Sequence, residues 1–124
     1  MQVQLNGTVA LPPRIRRVVA CQIVRVRESM PVRALALSVA ATHVHLLVGL
    51  PRLFDFERKL VGACKALSSR AIRSDLPGAV CSRGHTVVPI ADRRHQLATF
   101  RYISQRQERS ASLWTHLQGF QTRP

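Results

Sequence analysis

The sequence predicts an α+β fold, with an antiparallel sheet that carries its helices packed on one face. Residues 33–40 and 43–50 alternate with period two, as neighbouring strands do. Residues 14–28, 55–74 and 94–111 instead repeat apolar side chains at helical spacing. We therefore expect helices before and after a pair of adjacent antiparallel strands joined near residue 41.

The chain is expected to begin with a strand or short hairpin, followed by a helix. Residues 2–10 alternate around Asn6-Gly7, a dipeptide that favours hairpin turns. Pro12 and Pro13 suit the first turn of the helix predicted over 14–28. Because its apolar residues are β-branched, a strand remains the alternative there. These apolar residues are Ile15, Val18, Val19, Ile23 and Val26.

The two central strands each place apolar residues on one face. The first puts Leu35, Leu37 and Val39 together, and the second puts Val44, Leu46 and Val48 together. A helix capped by Asp55 should then run to about residue 74. Its expected buried stripe is Phe56, Leu60, Cys64, Leu67 and Ala71.

The last part of the chain predicts an edge strand and a helix. Residues 85–90 have strand character that Pro89 weakens. Asp92 is a candidate cap for the final helix, which should end near Ala111. We expect residues 1–113 to form one domain and residues 114–124 a C-terminal tail.

Charge points to a nucleic-acid partner. The 124 residues carry a net charge of +13, and 17 of the 19 basic residues are Arg, whose guanidinium matches phosphate oxygens. The alternative is arginine enrichment without a nucleic-acid role. No apolar run is long enough to cross a bilayer and no secretory signal is visible, so we expect no membrane association and a cytoplasmic, nucleoid-associated protein. The three widely spaced cysteines exclude a zinc ribbon.

His43 and His45 are candidate metal ligands. Side chains two residues apart in a strand project from the same face, so these imidazoles should lie side by side. Imidazole is a common ligand of divalent metals, and two on one rigid strand form half of a binding site. The alternative is two incidental histidines on a solvated strand.

Tyr102 is a candidate nucleophile. It is the only tyrosine in the chain and lies midway along the last predicted helix. It is turned away from Leu97 and Phe100, so it can reach a site outside the core. A phenol can attack phosphorus and form a covalent intermediate. The alternative is an ordinary surface tyrosine.

Three segments carry a resemblance to a known family: Ala-Thr-His-Val-His-Leu-Leu-Val-Gly-Leu-Pro at 41–51, Cys-Ser-Arg-Gly-His at 81–85, and Phe-Arg-Tyr-Ile-Ser-Gln-Arg-Gln at 100–107. Their order and spacing over roughly residues 30–110 resemble the HUH endonucleases. Within these the chain is similar to the single-tyrosine transposases of insertion-sequence type and to the repeat-associated tyrosine transposases.

The resemblance implies a ferredoxin-like or RRM-like fold and the cleavage of single-stranded or hairpin DNA in transposition. It implies that His43 and His45 hold Mg²⁺ or Mn²⁺, which polarises the scissile phosphate. Tyr102 would attack, keep the 5′-phosphate and release a 3′-hydroxyl. It also implies a homodimer in which the tyrosine helix serves the partner's site.

One position differs from the family's pattern of metal ligands. The third metal ligand is typically Gln or His about one turn after the tyrosine, where this chain has Arg106, which cannot bind metal. Gln105 and Gln107 flank it and are both candidates. On an α-helix Gln105 lies about 60° from Tyr102 around the axis and Gln107 about 140° away, so Gln105 is nearer the tyrosine face.

Three function classes remain open. The first is a metal-dependent tyrosine transposase or nickase, and the second is a degenerate or domesticated nucleic-acid-binding protein with the same fold. The third, a basic structural protein of a nucleoprotein particle, leaves the two histidines unexplained. The basic residues proposed to contact DNA are Lys59, Lys65, Arg70, Arg73, Arg83, Arg101 and Arg106.

Overall fold

The computed structural model describes residues 2–4, 10–49, 56–73, 89–105 and 110–121. In chain order the elements are β1 (Gln2–Gln4), α1 (Pro13–Arg25), a 3₁₀ turn (Val26–Glu28), β2 (Arg33–Val39), β3 (His43–Gly49), α2 (Phe56–Ala71), α3 (Arg93–Gln105), β4 (Ser112–Thr115) and β5 (Gly119–Gln121). None of the helices in these ranges combines the length and apolarity needed to span a membrane.

The described strands form one sheet in the order β1-β3-β2-β4-β5. Every neighbouring pair is antiparallel. Strand β3 lies between β1 and β2, and α1 connects those two strands, which is the split β-α-β arrangement. The predicted α+β class and the pairing of β2 with β3 are confirmed.

Helices α1 and α2 cover one face of the sheet. Ile15, Val19 and Ile23 recur every four residues along α1 and are buried, so the helical prediction is confirmed and its strand alternative is wrong. The α2 stripe is also largely confirmed, although Ala71 is exposed and Ile72 is buried instead. The sheet contributes Leu37, Val39, Val44, Leu46 and Trp114 to this core.

Helix α3 packs on the opposite face, which corrects the expectation of helices on one face only. Ile103 is 2% exposed and clusters with Ala36 of β2 and Leu47 of β3. Both faces of the central strands are therefore buried. The polar residues Ser38, His43 and His45 on this second face give the alternation expected of a strand with one solvent-facing side, so the sequence does not reveal that α3 covers it.

A β-bulge in β2 changes the predicted face of Leu35. The register with β3 shifts between Ala34 and Ala36. As a result Ala34 packs with the α1 and α2 core, whereas Leu35 packs with Ala36 under α3. The prediction that Leu35 shares a face with Leu37 is wrong for this reason.

The C-terminal part of the described chain belongs to the sheet. The predicted tail from residue 114 is wrong for residues 114–121, because β4 pairs with β2 and β5 pairs with β4. Gly119, at a φ of 67°, begins β5 in a conformation that favours glycine. The last helix also ends earlier than predicted, since Ser110 lies in a turn and Ser112 begins β4.

Several predicted features lie wholly or partly outside the described residues. These are the turn at Asn6-Gly7, the Asp55 cap and residues 85–88 of the predicted edge strand; Pro89 and Ile90, which are described, are not in a strand. The Asp92 cap is confirmed, because the backbone N–H of His95 donates to its carboxylate over 2.8 Å.

Candidate functional site

Strand β3 brings the two histidines together on the face that α3 covers. His43, His45 and Leu47 alternate with the core residues of the other face, and Leu47 packs under α3. The ring centroids of His43 and His45 are 4.7 Å apart and the rings are nearly perpendicular. Because β3 is hydrogen-bonded on both sides, the backbone fixes the position of this pair.

The orientation of His43 is set by its neighbour. The Thr42 hydroxyl and Nδ1 of His43 form a hydrogen bond of 3.2 Å. In the tautomer whose Nδ1 carries the proton, His43 donates to the Thr42 hydroxyl and Nε2 is the nitrogen that can bind a metal ion. This local contact is the kind that orients a metal-binding imidazole.

A buried serine lies beside His45. Ser38 of β2 is the register partner of His45, so both side chains lie on the α3 face. Ser38 is fully buried, and its hydroxyl has no hydrogen-bond partner within the described part of the chain. The surroundings of His45 are therefore polar on the side of β2.

Helix α3 places Tyr102 against His45. Burial of the adjacent Ile103 fixes the rotation of the helix on the sheet, which leaves Tyr102 at the margin of the buried stripe. The two ring centroids are 5.7 Å apart at an interplanar angle of 86°. Tyr102 remains 49% exposed, so the phenol borders both the imidazole pair and solvent.

The structure places one of the two candidate third ligands. Gln105 is exposed and shares with Tyr102, Arg101 and Ala98 an open cleft of about 370 Å³ whose lining includes neither histidine. Gln107, like Arg106, lies outside the described residues. Within the described ranges, no three His, Cys, Asp or Glu side chains lie close enough together to hold a metal ion. The donors brought together are thus the two imidazoles, which fit half of a divalent-metal site.

The predicted DNA-contacting residues do not form one surface. Arg101 lies next to Tyr102. Lys59, Lys65 and Arg70 instead lie on α2, which covers the other face of the sheet, and Arg73 lies in the turn that follows α2. Arg83 and Arg106 are not among the described residues.

Three basic residues on the α3 face were missed by the sequence reasoning. Arg33, Arg93 and His116 come from β2, α3 and the turn after β4. They are far apart in sequence, and His116 fell in the predicted tail. The pairing of β4 with β2 and the packing of α3 on the sheet bring them together.

Comparisons with known proteins give no relative for this arrangement. No family model, curated protein or solved structure matches the chain.

Proposed function

We propose that this protein cleaves single-stranded DNA through a phosphotyrosine intermediate at Tyr102, with a divalent cation bound at His43 and His45. One observation carries the proposal: the only tyrosine of the chain contacts His45, on the sheet face that also presents His43. A nucleophile beside a metal-binding pair is the minimum that metal-assisted phosphoryl transfer needs.

The chemistry exchanges one phosphoester for another. The phenol of Tyr102, which borders solvent, gives its proton to water; its oxygen forms a bond to phosphorus, and the bond from phosphorus to the 3′-oxygen breaks. The departing 3′-oxygen takes up a proton. The DNA 5′-phosphate stays on the protein, and attack by a 3′-hydroxyl on this ester would rejoin the strands without another energy source.

The chain's own residues have separate roles in this step. Bound Mg²⁺ or Mn²⁺ would act as a Lewis acid on the phosphate oxygens, and His43 and His45 would hold it. Arg101, next to Tyr102, would offset charge that builds on the phosphate. The net charge of +13 would attract the strand from a distance.

We further propose that one chain supplies the whole site. Tyr102 already contacts His45 of its own chain, so a partner's helix is not needed to bring them together. Mixing Tyr102→Phe with His45→Ala tests this directly. Neither variant should cleave alone and the mixture should stay inactive, whereas restored cleavage would show that the tyrosine acts on a partner's site.

The proposal is tested with a labelled single-stranded hairpin DNA and Mn²⁺, read for a covalent protein–DNA band on a denaturing gel. The wild type should form the band, and omission of the metal should abolish it. His95→Ala serves as a matched control, because it removes an imidazole from α3 outside the site. Its adduct yield should remain near that of the wild type.

A second candidate function is DNA binding without cleavage. The observation that favours it is the incomplete donor set, since no third His, Cys, Asp or Glu side chain joins the two histidines in the described part of the chain. Arg106 occupies the position one turn after Tyr102. Tight DNA binding with no adduct, across metals and hairpin substrates, would favour this function.

A further inference from the structure

An open groove lies on the α3 face, away from Tyr102. Its volume is about 620 Å³. The first two turns of α3 line it together with Arg33 and Leu35 of β2, Gly49 at the end of β3, and the turn after β4. The groove and the Tyr102 site thus share helix α3 but not the same part of it.

The charge of the groove suits a polyanion. The exposed Arg33 and Arg93 both line it, and none of its lining residues is acidic. Asp92 adjoins Arg93, but it caps α3 by accepting from the His95 N–H and does not line the groove. Each of these guanidinium groups can bind phosphate oxygens through its paired N–H donors.

Two aromatic rings add a surface for a base. The centroids of Phe100 and His116 are 5.9 Å apart, with the rings nearly perpendicular. The backbone N–H and Nδ1 of His116 both approach the carbonyl oxygen of Leu35, at 3.0 and 3.1 Å. Because a carbonyl only accepts, Nδ1 donates, and Nε2 of the neutral ring is then an acceptor. A ring held in this way offers stacking area and one hydrogen-bond acceptor to a nucleobase.

We propose that this groove binds a nucleotide of single-stranded DNA at a distance from the phosphate that Tyr102 attacks. The inference rests on the proposed function and extends it to substrate recognition. From Arg93 to Tyr102 the helix advances about 13.5 Å, at 1.5 Å per residue, so the first phosphate contact and the nucleophile are separated along α3.

The other possible occupant is a second copy of this chain. Leu97 and Leu117 border the groove and are 45% and 73% exposed, so they offer some apolar area. Two copies would each carry a net charge of +13, however, and like charge opposes their association. The basic groove favours the strand of nucleic acid.

The phosphate contacts are tested by salt-dependent binding of a short fluorescent oligodeoxynucleotide, measured by anisotropy. All proteins carry Tyr102→Phe, which prevents cleavage, so failure of the cleavage proposal leaves this test intact. The double variant that carries Arg33→Gln and Arg93→Gln should show a slope of log affinity against log salt that is shallower by about 1.4, since two phosphate contacts of about 0.7 each are lost. The pair Arg14→Gln and Arg25→Gln makes the same charge change on α1 and should leave the slope unchanged. Equal slopes for the two pairs would overturn the proposal.

The base contact is tested in the same background with His116→Ala and oligonucleotides that carry one abasic position. One position of the oligonucleotide, away from the cleavage point, should need its base, with about a tenfold loss of affinity when that base is removed. The His116→Ala protein should bind the intact oligonucleotide and the one that lacks this base with the same affinity. Unchanged affinity of His116→Ala for the intact oligonucleotide would overturn the base contact.

Two further outcomes would reassign the groove. A dimer in sedimentation that Leu117→Asp dissociates, with DNA affinity unchanged, would assign it to a second copy of the chain. Tighter binding of the matching RNA than of the DNA, lost in the Arg33→Gln and Arg93→Gln pair, would assign it to RNA.

Discussion

At the scale of single residues, the proposed chemistry depends on the contacts among His43, His45 and Tyr102. Period two in β3 was enough to place His43 and His45 on one face. The contact of Tyr102 with His45 links residues 57 positions apart in the sequence. No local pattern encodes such a contact, and it follows from the way α3 packs on the sheet.

The imidazole pair predicts a specific loss of metal binding. His45→Ala should weaken Mn²⁺ binding at least tenfold, because it leaves one imidazole where the structure brings two together. Isothermal titration calorimetry of wild type, His45→Ala and the His95→Ala control measures this. Identical traces for the wild type and His45→Ala would remove the metal from the proposed chemistry.

At the scale of secondary-structure elements, the sequence predicted the helices and central strands well and their faces less well. The apolar residues of α1 and α2 repeat at helical spacing and those of β3 alternate, because each element places one side in the core between these helices and the sheet. The bulge between Ala34 and Ala36 moved Leu35 to the other face, because one extra residue reverses the alternation. The short strands β4 and β5 were missed, since three or four residues carry too little periodicity to be distinguished from a tail.

The packing of α3 predicts that stability and catalysis are coupled through Ile103. Ile103→Ala should lower the free energy of unfolding by about 3 kcal/mol, since a buried side chain between α3 and the sheet is lost. Its adduct yield should also fall, because the same contact fixes Tyr102 against His45. Urea unfolding and the gel assay measure the two effects.

The exposed Leu97 on the same helix provides the control for this substitution. Leu97→Ala should change the free energy of unfolding by less than about 1 kcal/mol. A similar loss of stability in both variants would mean that Ile103 does not anchor the helix.

At the scale of the whole molecule, the sheet separates two basic surfaces. Helices α1 and α2 carry one on one face, and α3 with the groove at its first turns carries the other. Only the second surface also holds Tyr102 and the histidines. Composition alone predicted a nucleic-acid partner, but it could not assign the charge to a face, because that assignment depends on the order of the strands.

The net charge predicts strongly salt-dependent binding of single-stranded DNA. If four phosphates are contacted, at about 0.7 in slope each, affinity should fall about fiftyfold between about 50 and 200 mM salt. Filter binding or anisotropy across this range measures it. Affinity that stays flat would show that the charge of +13 does not drive binding.

The most direct test of the central claim is to map the covalent adduct by mass spectrometry. The protein is incubated with single-stranded hairpin DNA and Mn²⁺, treated with nuclease and digested with trypsin, which cleaves after Arg101 and Arg106. We predict a nucleotide mass on the peptide that contains Tyr102 and its absence in Tyr102→Phe. An adduct on any other peptide, or one that persists in Tyr102→Phe, would contradict the account.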